Sequence, residues 1–241
     1  MVSSFEAPGP YKTMTINSTG PGGTFTLYRP SELGQGGVRH PIITWGNGTG
    51  TTPAIYSAFL THLASHGFVV IASNNSNTGS GAEMLSGVQW LIEQNTGTGE
   101  LAGKLDTTKV GATGHSQGGG GALNAGADPR VTTVVPIAPA PGSGTLKGTM
   151  ALLCGGQDTI ISATTLCTSL IYNRATVPTF FGILKAATHT TAIGNIGGYR
   201  GPATAWMRLQ LMGDETARAM FYGSSCTLCA DPSWTVTSKN L

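Results

Sequence analysis

The stretch Gly114-His115-Ser116-Gln117-Gly118 decides the fold of this chain, because it joins an apolar run at residues 109–113 to a helical pattern at residues 122–125. A Gly-x-Ser-x-Gly sequence between a strand and a helix forms a sharp turn that exposes the serine hydroxyl above the sheet. A side chain two residues before or after the serine would collide with the neighbouring strand or helix, so both places need glycine. The pattern therefore predicts a nucleophile elbow at Ser116, with a flexible Gly/Ser loop as the alternative.

Chain order supplies two partners for Ser116. A nucleophilic serine needs a histidine to accept its proton and a carboxylate to orient that histidine, and after such an elbow the acid precedes the histidine. His189 is the one histidine downstream, and Asp128 and Asp158 are the acidic residues before it. Asp128 lies in a turn pattern, whereas Asp158 follows an apolar strand, at the edge where open α/β sheets build their sites. The sequence predicts a triad of Ser116, Asp158 and His189.

The oxygen of a tetrahedral intermediate would need two N–H donors. The N–H of Gln117, directly after the serine, is predicted to be the first. The second is expected from the glycine-rich loop 46–50, where Asn47, Gly48 and Thr49 are candidates and Thr49 is preferred. A plain glycine-rich turn is the alternative interpretation of this loop.

Strand and helix patterns alternate along the rest of the chain. They predict an α/β fold, with a mostly parallel central sheet, right-handed crossovers and flanking helices, opened by an antiparallel hairpin. No repeat, linker or segment long enough for a lid domain is visible, so residues 1–241 are expected to form a single domain. Strands are predicted at residues 11–16, 24–29, 42–45, 68–73, 109–113, 131–137, 150–154 and 179–184, and helices at 54–66, 84–94, 162–173, 202–212 and 214–222.

The composition disfavours several classes of protein. Only 10% of the 241 residues are charged, the net charge is +2, and no Lys/Arg run exists, so there is no basic footprint for nucleic acid. No apolar stretch of 18 residues predicts a membrane span. The glycine-rich residues 97–104 miss the spacing of a phosphate-binding loop, and neither a cofactor nor a metal is expected. The first residues lack the features of a signal peptide, as expected of a secreted chain whose signal has been removed.

The four cysteines indicate a compartment. Cys154 and Cys167 flank the segment after Asp158, and Cys226 and Cys229 lie in the tail. Three pairings are possible, of which Cys154–Cys167 with Cys226–Cys229 is the simplest. A redox Cys-x-x-Cys would begin a helix after a strand, and a zinc site would need two more ligands. Disulfides are therefore predicted, and with them an oxidising, secreted setting.

Beyond these motifs, the chain resembles the bacterial cutinase and polyester-hydrolase branch of the α/β-hydrolases, which includes poly(ethylene terephthalate) hydrolases. The similarity covers most of residues 10–235. It is carried by Leu-Ala-Ser-His-Gly-Phe-Val-Val at residues 63–70, by residues 105–111, by the elbow at 114–121 and by residues 205–208. The resemblance implies a lidless α/β-hydrolase with a shallow cleft for esters of fatty acids or polyesters, and a monomer is expected. Position by position, the family triad matches Ser116, Asp158 and His189, and the oxyanion positions match Gln117 and Thr49.

Several positions depart from the family pattern. Many members carry a tryptophan where this chain has Ala140, and an aromatic residue where it has Thr49. The family cysteine two residues past the histidine is Thr191 here. A cleft without these rings would be wider and would stack a terephthalate ring less well. Ile160 and His115 are the next candidates for contact with the substrate.

These observations predict a secreted serine esterase of cutinase type, which cleaves carboxylic esters through an acyl-enzyme on Ser116. Soluble short-to-medium acyl esters and aliphatic polyesters are the expected substrates. A triacylglycerol lipase is one alternative, and a jump in rate at an oil interface would favour it. A non-catalytic binding protein with the α/β-hydrolase fold is another, favoured by absence of ester hydrolysis. An acyltransferase is a third alternative that the triad alone leaves open.

Overall fold

The computed structural model describes residues 5–142 and 144–241, and its central feature is a nine-stranded sheet. The strands are β1 (Thr13–Thr19), β2 (Phe25–Pro30), β3 (His40–Gly46), β4 (Val69–Ser73), β5 (Leu105–His115), β6 (Val131–Ile137), β7 (Thr149–Gly155), β8 (Thr179–Leu184) and β9 (Trp234–Lys239). Their order across the sheet is β1-β2-β4-β3-β5-β6-β7-β8-β9. Neighbours from β4 to β8 pair in parallel, and β1, β2 and β9 add antiparallel edges. The mostly parallel sheet predicted from the sequence is confirmed.

Helices flank the sheet on both sides. The α-helices are α1 (Ser57–Ser65), α2 (Ala82–Thr96), α3 (Gln117–Ala125), α4 (Arg200–Met207) and α5 (Thr227–Ala230). Wider π-helical turns form Ala163–Tyr172 and Arg208–Met212, and 3₁₀ turns include Pro53–Tyr56 and Glu215–Met220. No helix among the described residues is long and apolar enough to cross a bilayer.

Four predicted helices differ from the observed elements. The one predicted at 162–173 is a π-helix over Ala163–Tyr172. The helix predicted at 54–66 begins as a 3₁₀ turn before α1. The one predicted at 202–212 is α4 followed by a π-helical turn, and it ends at Gly213, whose φ of 67° is left-handed. The one predicted at 214–222 is a 3₁₀ helix. Apolar periodicity locates helical segments, but it does not distinguish 3₁₀-, α- and π-helices, whose backbone hydrogen bonds differ in span by only one residue.

The strands predicted from the sequence do not include β9, which spans Trp234–Lys239 in the tail. It pairs antiparallel with β8 along its whole length, from Thr179 opposite Lys239 to Leu184 opposite Trp234. The Trp234 ring covers Gly182, where an added β-carbon would lie 3.0 Å from it. Trp234-Thr235-Val236-Thr237 alternates apolar and polar residues as a strand does, and the partner strand β8 decides where this segment pairs.

The core forms two layers, one on each face of the sheet, because successive side chains of a strand point to opposite faces. In β3, Ile43 and Trp45 pack towards α1 and α4, whereas Ile42 packs towards α2 and α3. Both faces are covered, so the buried parts of the central strands are mostly apolar. This double burial holds the carboxyl ends of β5, β7 and β8 at one edge, where the loops carrying Ser116, Asp158 and His189 begin.

Candidate active site

Ser116 occupies the turn between β5 and α3 with φ 55° and ψ −120°, a left-handed conformation that is costly for a residue other than glycine. Close backbone contact explains the glycines on either side. An added β-carbon at Gly114 would lie 2.4 Å from the carbonyl oxygen of Gly118, and one at Gly118 would lie 2.1 Å from the carbonyl of Gly46. The sharp turn predicted from the sequence therefore exists, and packing against β3 holds it in place.

Hydrogen bonds connect Ser116 to His189 and His189 to Asp158. The Oγ of Ser116 lies 3.0 Å from Nε2 of His189, and Nδ1 of His189 lies 2.7 Å from Oδ2 of Asp158. A carboxylate only accepts, so Nδ1 carries the proton and Nε2 presents its lone pair to the serine. The Asp158 side chain is fully buried, and its Oδ1 accepts from the N–H groups of Ile160 at 2.8 Å and Ile161 at 2.7 Å. The carboxylate is thus held on both oxygens.

The loops that carry the acid and the histidine are tied to each other. The N–H of Gln157 donates to the carbonyl of Ala187 at 2.9 Å. The histidine loop is closed by Thr191, whose hydroxyl accepts from the N–H of Thr188 at 3.0 Å. Thr191 stands at the position of the family cysteine named above, and its hydroxyl caps the first turn of the 3₁₀ helix that begins at His189.

The other acidic residue considered from the sequence, Asp128, lies elsewhere. It sits in the turn before β6, and its Oδ2 is 2.7 Å from Nη2 of Arg130. Hydrogen bonds from that guanidinium lower the pKa of Asp128 below its ordinary value. The structure brings Asp158, rather than Asp128, to His189.

The two predicted oxyanion donors lie on the loops beside Ser116. Gln117 is the first residue of α3, and its side chain accepts from the N–H of Thr78 at 3.1 Å. In the loop after β3, the N–H of Gly48 is already committed, because it donates to the hydroxyl of Tyr56 at 3.2 Å. This commitment favours the exposed Thr49 over Gly48 as the second donor, and that assignment stays a prediction.

The remaining candidate of that loop, Asn47, has a structural role. Its side chain is buried, and its Nδ2 donates to the carbonyls of Ser73 at 2.7 Å and Asn75 at 2.9 Å. Its Oδ1 accepts from the indole of Trp45 at 3.1 Å. The amide therefore ties the loop to the end of β4.

The residues predicted to touch the substrate occupy different depths. The side chain of Ile160 is 64% exposed, while its N–H is bonded to the catalytic candidate Asp158. Ala140 is half-buried, and its N–H donates to the carbonyl of Ser116 at 2.9 Å. Two other exposed apolar side chains, Ile55 and Ile193, follow the site loops in the sequence by a few residues. An apolar residue shortly after a loop of the candidate site is the sequence signal that could have identified them.

His115 was predicted to contact substrate, but only 4% of it is exposed. Its ring centroid lies 4.6 Å from that of His189, and its Nδ1 is 2.9 Å from the hydroxyl of Tyr56. Burial, with the nearby His189 as a second cause, lowers the pKa of His115 to about 4, so the ring is neutral at neutral pH. The structure buries His115 against the ring of His189, and its contact with substrate stays a prediction.

The cysteines form two disulfides, Cys154–Cys167 and Cys226–Cys229, the pairing that the sequence made simplest. The first joins the end of β7, just before Asp158, to the π-helix Ala163–Tyr172. Within residues 5–142 and 144–241, no group of three or more His, Cys, Asp or Glu side chains could hold a metal ion.

Comparison with known proteins places these features in context. The model of a family described as PET hydrolase-like (PETase) matches residues 2–233. The bis(hydroxyethyl) terephthalate hydrolase of Streptomyces coelicolor is 32% identical over 150 residues. That alignment covers 57% of this chain and 46% of the relative, so the chain spans about half the length of this curated relative.

Proposed function

Because the chain belongs to the PET hydrolase-like family of α/β-hydrolases, we propose that it hydrolyses carboxylic esters through an acyl-enzyme on Ser116. One observation carries the proposal: the hydrogen bonds of 3.0 Å and 2.7 Å that run from Ser116 through His189 to Asp158. A serine on a strained turn, a histidine with its lone pair towards that serine and a buried carboxylate are the three parts of a nucleophilic triad.

Each proton in the proposed reaction passes through Nε2 of His189. As Oγ of Ser116 bonds to the ester carbonyl carbon, its proton moves to Nε2, and the carboxylate of Asp158 stabilises the imidazolium. The bond to the alcohol oxygen then breaks, and that oxygen takes the proton. In the deacylation step, water attacks the acyl carbon and gives one proton to Nε2. The bond between the acyl carbon and Oγ then breaks, Oγ takes the proton back from Nε2, and the carboxylic acid leaves. The N–H groups of Gln117 and Thr49 are the proposed donors to the oxyanion.

Substitution of the nucleophile tests the reaction. Ser116→Ala should lower turnover of p-nitrophenyl butyrate at least ~10³-fold, because the residual rate of a triad enzyme comes from binding and oxyanion contacts alone. A fluorophosphonate should label the wild-type chain on Ser116 and leave the variant unlabelled. Near-wild-type turnover by Ser116→Ala would refute the serine-hydrolase proposal. The matched control is Ser169→Ala, on an exposed face of the π-helix, which should keep the wild-type turnover.

The substrate proposal is an ester of cutinase type, soluble or polymeric, with aliphatic acyl chains favoured over aromatic ones. The name of the Streptomyces relative supports adding bis(hydroxyethyl) terephthalate to the panel. The exposed Ile160 supports an apolar cleft edge. Ala140 and Thr49 offer no ring, and two lost ring contacts of about 0.5–1.5 kcal/mol each would weaken binding of an aromatic diester roughly 5- to 150-fold.

Polymer films test this preference directly. We expect faster product release from polycaprolactone than from amorphous poly(ethylene terephthalate), and Ala140→Trp should narrow the gap by adding a stacking partner. Ala230→Trp, on the exposed end of α5, controls for a general gain in adhesion. Equal wild-type rates on both films would contradict the preference. A p-nitrophenyl series from acetate to palmitate, measured with and without an oil interface, separates this activity from that of a lipase.

An extracellular, oxidising place of action is proposed as well. It is supported by the pairing of all four cysteines in disulfides, which form and persist in such compartments. Fractionation of cultures of the source cells, with antibody detection in the medium, tests it. Exclusive recovery from the reduced cell interior would contradict it.

A further inference from the structure

A buried tyrosine hydroxyl lies between the loop after β3 and the nucleophile elbow. Tyr56 is fully buried, and its Oη lies 2.9 Å from Nδ1 of His115 and 3.2 Å from the backbone nitrogen of Gly48. The hydroxyl approaches so closely that an added β-carbon at Gly48 would lie 2.8 Å from Oη and 3.1 Å from Nδ1. Glycine at this position therefore makes room for the contact between Tyr56 and His115.

The other nitrogen of His115 reaches the histidine loop. Its Nε2 lies 3.1 Å from the backbone carbonyl oxygen of His189. A carbonyl only accepts, so Nε2 carries the proton, and the neutral ring then offers a lone pair at Nδ1. The Tyr56 hydroxyl must donate to that lone pair, which leaves its oxygen free to accept from the N–H of Gly48. All the donor and acceptor directions along this path are mutually consistent.

The path runs from Gly48 through Tyr56 and His115 to the main chain of His189. Its ends lie in the two loops that must stay aligned with Ser116, one of which carries the proposed oxyanion donor and the other the base. It passes next to the nucleophile, because His115 directly precedes Ser116. A hydrogen-bonded path that is fully paired holds its members more rigidly than separate contacts do.

From this geometry we infer that Tyr56 and His115 are positioning residues, which hold the oxyanion loop and the His189 loop in catalytic alignment with Ser116. The inference rests on the proposed function, because alignment matters only if Ser116 is the nucleophile. No hydrogen bond joins either side chain to Oγ of Ser116 or to the ring nitrogens of His189. Each acts through the backbone that it holds, and the His115 ring also packs 4.6 Å from that of His189. Misplacement by about 1 Å can cost 10²-fold in rate, so the effect of losing either contact should be measurable.

Tyr56→Phe removes the hydroxyl and keeps the ring, which packs 4.8 Å from that of Trp45. On p-nitrophenyl butyrate, kcat per titrated active site should fall about 10- to 100-fold, with KM changed less than about two-fold. Affinity for an alkyl boronic acid, which forms a tetrahedral adduct on the serine, should weaken by a similar factor. A merely structural role would lower thermal stability and leave kcat per active site intact. Tyr222→Phe, which loses only a 3.4 Å bond from Gln210, is the matched control and should keep the wild-type kcat.

A second variant keeps the inference falsifiable if Tyr56→Phe folds poorly. His115→Gln breaks the same path at another point, so the double variant should lose no more than about the larger single loss, whereas independent effects would multiply. If the losses in kcat of the two single variants multiply in the double variant, or if Tyr56→Phe keeps a kcat within about two-fold of wild type, the inference is wrong. The proposed function would still stand. A wild-type chain with no turnover and no phosphonate label would refute the proposed function, and the inference with it.

Discussion

Replacing Gly118 by alanine tests whether backbone contact, rather than flexibility, demands glycine in the elbow. An added β-carbon would lie 2.1 Å from the carbonyl carbon and oxygen of Gly46 and 2.5 Å from the carbonyl oxygen of Asn47. All three are main-chain atoms, so no side-chain rotation can relieve the contacts. Overpacking costs typically about 1–3 kcal/mol, and contacts this rigid belong at the upper end.

Helix propensity acts in the opposite direction. Gly118 lies in the first turn of α3, where alanine is favoured over glycine by up to about 1 kcal/mol. The net loss in the free energy of unfolding is then about 2 kcal/mol, which corresponds to a melting temperature lower by about 4–8 °C for a chain of this size. Relief requires α3 and Ser116 to move away from β3, so kcat should fall on the order of 10²-fold as well.

Calorimetry and ester hydrolysis measure the two effects on the same samples. Gly99→Ala is the matched control, because an added β-carbon there meets nothing within 4 Å and its φ is not left-handed. It should change the unfolding free energy by less than about 1 kcal/mol. A Gly118→Ala protein with the wild-type melting temperature and kcat would refute the steric reasoning, and would mean that the elbow can shift at no cost.

Three further predictions address the acid, the disulfide near it and a buried histidine. Asp158→Asn should lower kcat about 10⁴-fold with little loss of stability, whereas Asp128→Asn should leave kcat unchanged; steady-state kinetics that reversed this order would contradict the assignment. Replacing Cys154 and Cys167 by alanine should lower the free energy of unfolding by about 3 kcal/mol, because their separation of 13 residues closes a loop of that size. Urea midpoints with an unchanged slope would measure it, and a loss below about 1 kcal/mol would count against the entropic account. Burial, more than nearby positive charge, lowers the pKa of His62 to about 4, so on acidification the unfolded chain takes up a proton at this residue before the folded chain does. His62 should therefore leave the free energy of unfolding unaffected above about pH 6.5 and lower it as the pH falls towards 4. In His62→Gln, the free energy of unfolding should depend less on pH across this range.

Much of the candidate site could be predicted from the sequence, because local sterics and chain order leave few choices. The glycines at 114 and 118 mark Ser116, since only a residue without a side chain tolerates the close approach of β3. With Ser116 assigned, chain order left one histidine, His189, and two acids. The apolar runs of β3 to β8 predicted the parallel sheet, because strands buried on both faces cannot alternate with polar residues.

The pairing of β9 and the role of His115 could not be predicted in this way. The alternation Trp234-Thr235-Val236-Thr237 is a strand signal, but the pairing of this segment depends on the open edge of β8. His115 is predicted to contact the substrate because it adjoins Ser116, yet the structure buries it. Its own neighbours in sequence carry no signal for that burial.

The sequence by itself thus determined the elbow, the members of the candidate triad and the class of the sheet, which depend on local backbone sterics, chain order and apolar periodicity. Only the tertiary structure decided which residues support the site. Tyr56 and His115 are 59 positions apart, and His115 and the carbonyl of His189 are 74 apart. They meet because the parallel sheet brings the ends of β3, β5 and β8 to one edge, and contacts made by that convergence leave no periodic trace in the chain.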